Sequence, residues 1–189
     1  MLLRAQRREG IAALAQAAAD VDLLVSYPWS SYGPAVHEIV RVLGRFGDPQ
    51  PRVVKSGVPG ICVVHSCLDN REVVARCEEL FRSELGFRFA IKWVPVDHWC
   101  EKDLDAIKRV IDEQVAPRIG EQETWAMKVE KRGWPQYHTA EIVEHLAEAI
   151  ERKVNLRAPD KLVRVDILGS KAAVSLLRPE EIFSARTPW

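Results

Sequence analysis

Apolar positions along the chain switch between a period of two and a period near 3.6. Leu23 to Tyr27 is a short apolar run closed by Pro28, which predicts a strand. Val36, Ile39, Val40, Leu43 and Phe46 repeat at helical spacing, with Gly47 as the stop. Arg52 to Lys55 and Ile61 to His65 read as two more strands, and the glycines and proline of 56–60 suit a hairpin connection. Asp69 and Glu72 have capping-box spacing ahead of Val73, Val74, Cys77, Leu80 and Phe81, again at helical spacing. Phe89, Ile91 and Trp93 alternate with Arg88, Ala90 and Lys92, as on a half-buried strand. The order strand, helix, strand, strand, helix, strand over residues 22–96 is the split-βαβ, ferredoxin-like pattern.

Val94 to Cys100 reads as a linker with Pro95 as its breaker. Leu104, Ile107, Ile111 and Val115 mark a helix that Asp103 caps, with Pro117 near its end. Trp125, Met127 and Val129 alternate on a strand, and Thr139 is the expected N-cap of a helix carrying Ile142, Val143, Leu146 and Ile150. Val163, Val165 and Ile167 alternate with Arg164 and Asp166; Gly169-Ser170 suits a two-residue turn, and Ala173 to Leu177 returns as the partner strand. The second half is therefore also α/β. Ahead of both halves, the Ala-rich stretch from Ile11 to Ala19 predicts a helix. The expected division is an N-terminal helical extension over 1–21 and domains over 22–97 and 98–184.

Composition narrows the class. The chain has 189 residues, 47% hydrophobic and 29% charged, which suits a folded protein of one ordinary domain or two small ones. No apolar run reaches the ~18 residues that a membrane span needs. Arg4, Arg7, Arg8 and Glu9 interrupt any secretory core, so the cytoplasm is the expected location, with reduced thiols. Net charge is zero, with 27 Lys plus Arg against 27 Asp plus Glu. That excludes coating nucleic acid by bulk charge and requires any RNA site to be local.

Residues 124–183 carry a resemblance. A strand ends in Lys131-Arg132-Gly133, a helix opens near Thr139, and Val154-Asn155-Leu156-Arg157-Ala158-Pro159-Asp160 leads into two strands. This string resembles a THUMP domain, whose usual central piece is close to V-D-L-x-N-P-D; here Asn155 stands for the Asp and Ala158 for the Asn. The joining segment VPVDHWCEKDLDAIKRV resembles that of archaeal THUMP proteins of the tRNA-acetylation adaptor group. The resemblance covers about residues 22–183 and implies an α+β fold, an N-terminal ferredoxin-like (split βαβ) domain followed by a THUMP α/β domain. It also implies binding of the acceptor stem and 3′ end of tRNA. Stand-alone members assist an acetyltransferase that makes N4-acetylcytidine. Neither Gly44-Arg45-Phe46-Gly47 nor Gly57-Val58-Pro59-Gly60 follows a strand and opens a helix as a nucleotide loop should. The expectation is an adaptor that does no chemistry of its own and needs no cofactor.

The expected RNA-binding residues are Lys128, Lys131, Arg132, Tyr137, His138, Lys153, Arg157 and Lys161. Arg152, Lys153, Arg157, Lys161 and Arg164 face only Asp160 between 152 and 164, a local net of +4. Lys128, Lys131 and Arg132 face Glu130 for +2. Phosphate neutralisation supplies most RNA affinity, and Trp134 and Tyr137 could stack on unpaired bases, although Trp134 equally suits the edge of a core. Other groupings have blander readings. Cys62 and Cys67 differ by five residues and face opposite sides of a straight strand, so buried thiols suit them better than a metal. Asp97, His98 and Glu101 could serve as acid and base but have no evident nucleophile. Glu141, Glu144, Glu148 and Glu151 form an acidic helical stripe, either solvated or facing a partner protein. The rival functions are an RNA-binding subunit of a methylation or thiolation system, and a protein-only scaffold.

Overall fold

In the computed structural model, residues 21–84 and 86–185 are described; the helix expected over Ile11 to Ala19 lies outside them. Two sheets stack face to face, with helices on both outer sides. The first sheet contains β1 (Val21–Ser26), β2 (Arg52–Lys55), β3 (Ile61–Ser66), β4 (Lys92–Val96) and a short β9 (Phe183–Ser184). Its order is β2-β3-β1-β4-β9, antiparallel throughout. Helices α1 (Tyr32–Phe46) and α2 (Asn70–Glu84) complete the ferredoxin-like arrangement. The second sheet contains β5 (His98–Glu101), β6 (Trp125–Arg132), β7 (Lys161–Leu168) and β8 (Lys171–Leu177), in the order β5-β8-β7-β6. Only β6 and β7 run parallel there. Its helices are α3 (Leu104–Val110), which runs into a π turn and a 3-10 turn, and α4 (Thr139–Ala147).

The strand periodicity assigns the faces. Leu23, Val25, Cys62, Val64 and Trp93 point to α1 and α2 and form the first core. Val163, Val165, Ile167, Val174 and Leu176 point to α3 and α4 and form the second. A third core fills the seam between the sheets, where Leu24, Val63, Val94 and Val96 meet Leu168, Ala173 and Leu177. The mixed α+β class is as the sequence pattern predicts. So are the stops and caps: Gly47 closes α1 in the left-handed region at φ 102°, where its lack of a Cβ avoids strain, and Asp103 accepts from the Ala106 N–H at 2.9 Å. Asp69 likewise accepts from the N–H groups of Arg71 and Glu72.

Three local expectations are corrected. Residues 88–91 do not join the strand, which begins at Lys92. The buried Glu38 carboxylate takes the N–H groups of Arg88, Phe89 and Ala90 at 2.9, 2.8 and 2.6 Å, so no strand partner is needed there. Residues 94–100 are not a linker but the end of β4 and most of β5. Pro95 sits inside β4 opposite Leu23 and turns its carbonyl away from β1 to accept from Ser175 Oγ at 2.8 Å. A strand residue's N–H and C=O point the same way, so the N–H that proline lacks falls outside the β1 ladder. The N-cap of α4 is His138 rather than Thr139; its backbone is extended and its N–H donates to Glu141 at 2.6 Å.

Two junctions tie the sheets together. Asp97, between β4 and β5, accepts from Arg71 of α2 at 2.8 Å and from the Leu176 N–H of β8 at 2.9 Å. Arg71 also donates to the Leu176 carbonyl at 3.0 Å and lies 3.5 Å from Glu181. Asp97 therefore serves as a structural latch, and Glu101 pairs with Lys171 across β5 and β8. These bonds account for two of the three linker groups weighed above as acid–base candidates.

Candidate nucleic-acid interface

The eight expected RNA-binding residues do not form one patch. Trp125 and Lys161 pair at the start of the parallel β6–β7 ladder, and Arg132 and Leu168 pair at its end. Seven steps at ~3.3 Å separate the two ends by about 23 Å. Lys153, Arg157 and Lys161 cluster at the first end, and Lys131, Arg132, Tyr137 and His138 at the second, with Lys128 in mid-strand.

The first end is built by side chains that organise a loop. Val154 bridges to Trp125, and Asn155 N donates to the Trp125 carbonyl at 2.9 Å. The Asn155 side chain then accepts from the N–H groups of Arg157 and Ala158 and donates to the Ala158 carbonyl at 2.7 Å. Asp160 closes the loop by accepting from both the Thr124 hydroxyl and its N–H at 2.7 Å. These bonds hold the Asp160 carboxyl below its ordinary range, the hydroxyl bond contributing most. So Asn155 and Asp160 shape the turn rather than offer themselves to a ligand. What the turn displays is Arg157, Lys153 and a Leu156 that is 78% exposed. Lys161 is largely covered and sits 3.6 Å from Glu123.

At the second end, alternation along β6 splits the basic residues between faces. Lys131 shares the side of Met127 and Val129 and donates to the Tyr137 carbonyl. Lys128 and Arg132 point into the seam side; Lys128 lies 3.5 Å from Glu130, and Arg132 Nη1 is buried without a hydrogen-bond partner. Trp134 is buried in the second core with Lys102 over its ring at 5.9 Å, which settles it as a core-edge residue. Tyr137 stands edge-on to it, ring centroids 5.1 Å apart, and remains 37% exposed.

The +4 count over 152–164 shrinks in three dimensions. Arg164 is 4% exposed and makes a two-pronged bond to Asp166 at 2.6 and 2.9 Å on the seam face. Arg152 donates to the carbonyls of Ile119 and Glu151. Lys92 of β4 faces the same charged group: burial, then the charges of Arg164 and Lys128, push its ammonium down to about 8. Glu130 goes the other way. Burial alone would raise it, but Arg164, Lys128 and Lys92 hold its carboxyl low.

The other groupings resolve individually. Cys62 is buried with Sγ 3.5 Å from the Val25 carbonyl, and burial pushes its thiol up to about 12. On the acidic stripe, Glu148 pairs with Lys108 at 2.6 Å and Glu141 is used by the α4 cap. Sequence reasoning missed a hollow of ≈ 510 Å³ at one edge of the seam, where Asp22, His65 and Trp99 meet. Trp99 lay in the stretch read as a linker, so the alternation of β5 gave no signal of its facing.

Residues 101–177 match the THUMP domain family, so the chain carries a THUMP domain, formed by the second sheet and its helices. No curated protein matches the chain in sequence. Among solved structures it is similar to PH1313 from Pyrococcus horikoshii Ot3, with a TM-score of 0.59 at 15% identity over 87% of this chain and 55% of that one. It is also similar to TrmN from Thermus thermophilus, with a TM-score of 0.58 at 16% identity over 85% of this chain and 47% of that one. A 4-thiouridine synthetase in complex with RNA and bound ATP gives a TM-score of 0.51 at 15% identity over 87% and 42%. At these identities the likeness is one of fold. The chain spans about half the length of these structures. The expectation of a protein without chemistry is overturned here: the fold recurs inside a synthetase, so it is a fold that works within catalytic proteins.

Proposed function

We propose that this chain binds tRNA through its THUMP domain and the adjoining ferredoxin-like part, and presents the acceptor stem and 3′ end to a tRNA-modifying enzyme. The enzyme we favour is the acetyltransferase that makes N4-acetylcytidine. The division near residues 97 and 98 belongs to this proposal, with 183–184 returning to the first sheet. The observation that carries it is the THUMP match over 101–177, on which the 153–160 loop displays Lys153 and Arg157 with neither side chain tied by a hydrogen bond or ion pair among the described residues. Support also comes from the fold shared with a synthetase captured on RNA. Holding the RNA would convert a weak encounter between enzyme and tRNA into an intracomplex one. A thiolation system is the second reading, favoured by the same complex.

The test is tRNA binding at two salt concentrations, with intact tRNA and tRNA lacking its 3′ terminal nucleotides, followed by identification of the modified nucleoside formed when candidate enzymes are added. Salt-sensitive binding that weakens on 3′ truncation, with N4-acetylcytidine as the product, is the expected result. A folded sample that binds no tRNA refutes the reading. 4-Thiouridine as the product replaces the first enzyme with the second.

A further inference from the structure

The hollow at the edge of the seam has a built interior. Asp22 stands at its centre on β1. Its Oδ1 lies 2.5 Å from His65 Nδ1, and its Oδ2 accepts from Trp99 Nε1 at 2.5 Å. One carboxylate thus fixes an imidazole from the first sheet and an indole from the second. An ionised carboxylate only accepts, so Nδ1 donates to it, and in the neutral form of the imidazole Nε2 is then the acceptor. No partner occupies that nitrogen among the described residues. The indole, pinned by its N–H, is 36% exposed and leaves ring surface to the hollow. Lys55 and Lys171 stand at the rim, with the 56–57 and 169–170 turns between them. Lys171 pairs with the exposed Glu101, and Lys55 lies 5.1 Å over the Tyr32 ring.

A second hollow of ≈ 290 Å³ shares Lys55 and Gly57 with the first. Its other walls include Tyr27, Tyr32 and Trp29, the last 80% exposed. An aromatic face, a cation and a second aromatic group therefore follow one another along the surface. Aromatic surfaces interleaved with cations suit successive bases and phosphates of a single strand. The larger volume is also in the range of small-ligand sites.

We infer that the larger hollow binds one unpaired nucleotide. Its base stacks on Trp99, an exocyclic amino group of the base donates to His65 Nε2, and the phosphate lies toward Lys55 and Lys171. In a strand, the next nucleotide reaches the hollow beside Trp29. Cytosine and adenine carry an amino group on the pairing edge and uracil carries none, so cytidine and adenosine nucleotides bind better than uridine nucleotides. The inference rests on the RNA-binding reading for the biological source only. A free nucleoside monophosphate offers the same chemistry.

The experiment follows the Trp99 indole and His65 ring signals of the full chain by NMR. The probes are CMP, AMP and UMP, and a two-strand RNA duplex with either blunt ends or a two-nucleotide 3′ overhang. CMP and AMP are expected to shift both signals, with UMP at least tenfold weaker. The overhang should act at lower concentration than CMP, and the blunt duplex should leave the signals in place. Trp99→Phe should retain binding, and Trp99→Ala should lose at least tenfold. Ser170→Trp places bulk from an exposed turn into the hollow while leaving Asp22, His65 and Trp99 unsubstituted, and should lose as much. Shifts with CMP alone assign a free nucleotide; shifts with the overhang alone assign an RNA end. Unmoved signals with both, or binding that survives Ser170→Trp, overturn the inference. A protein that binds CMP but no tRNA loses the tRNA reading and keeps this site; one that binds tRNA with unmoved signals does the reverse.

Discussion

Removing charge at one end of the β6–β7 ladder tests how tRNA lies on the surface. A protein that neutralises a phosphate releases counterions, and each contact adds about 0.7–0.9 to the slope of log affinity against log salt. Between 50 and 200 mM salt, one contact is then worth about 2.6–3.5-fold and two about 7–12-fold. Lys153→Ala with Arg157→Ala removes two exposed side chains that have no hydrogen-bond or ion-pair partner among the described residues, so the fold should be undisturbed. Lys131→Ala with Arg132→Ala probes the other end, about 23 Å away by strand geometry, and because Lys131 donates to the Tyr137 carbonyl and both side chains are half-buried, this pair also removes an internal contact. An RNA stem bridging both ends loses about 1.4–1.8 from its slope with either pair, and the losses add. An RNA seated at one end responds to one pair only. Filter binding or fluorescence anisotropy across a salt series reads the slope directly, with circular dichroism as the check on folding. A slope unchanged by both pairs refutes the claim that these side chains meet phosphate.

Other predictions concern the frame. Arg71→Ala removes the nearest cation from the Asp97 carboxylate, which is 9% exposed and retains the Leu176 N–H at 2.9 Å and Arg118 at 3.8 Å, and should cost roughly 2–4 kcal/mol in urea denaturation; a loss under about 0.5 kcal/mol would remove the latch from the account. Thiol titration at pH 8 should modify exposed Cys67 in the native protein and buried Cys62 and Cys77 only in denaturant; native-state reaction at Cys62 contradicts its placement. Lys92 is pushed down to about 8 in the folded state against 10.5 ordinarily. Below about 8 both states hold the proton and the folded state bears the full penalty. Between about 8 and 10.5 the unfolded state holds more protons, so this residue's contribution raises stability with pH. Lys92→Met should therefore stabilise the protein near pH 7, with a gain that shrinks toward pH 10.5; a gain independent of pH refutes that placement.

The periodic elements were legible because each had one face to bury. Leu23 and Val25, Ile39 and Leu43, and Val163 and Val165 all lie where their spacing puts them. What failed was governed by distant partners. Glu38 is 50 residues from the first N–H it captures, so nothing near Arg88 reveals that the strand starts late. Pro95 looked like a breaker because its carbonyl's partner, Ser175, is 80 residues away. The basic clusters failed for another reason. Adjacency in sequence placed Lys131 beside Arg132, and the pleat sends them to opposite faces; Arg164 counted as surface charge until Asp166 was found to hold it in the seam. The THUMP resemblance was legible from the 154–160 string, whereas the Asp22 cluster joins residues from three strands and left no local trace.

The brief return of β9 bears on how far the molecule can be divided. Phe183 packs in the first core at 4.6 Å from Phe87 and 5.7 Å from Phe81, although the whole second sheet lies between it and β4 in sequence. A fragment ending before it leaves a void the size of a phenyl ring in the first core, at a cost of about 3–5 kcal/mol. During synthesis the first half of the chain thus waits for the second to be completed before its own interior is full. The two halves are tied in time as well as in space, and a cut placed between the sheets yields an incomplete piece rather than a smaller protein.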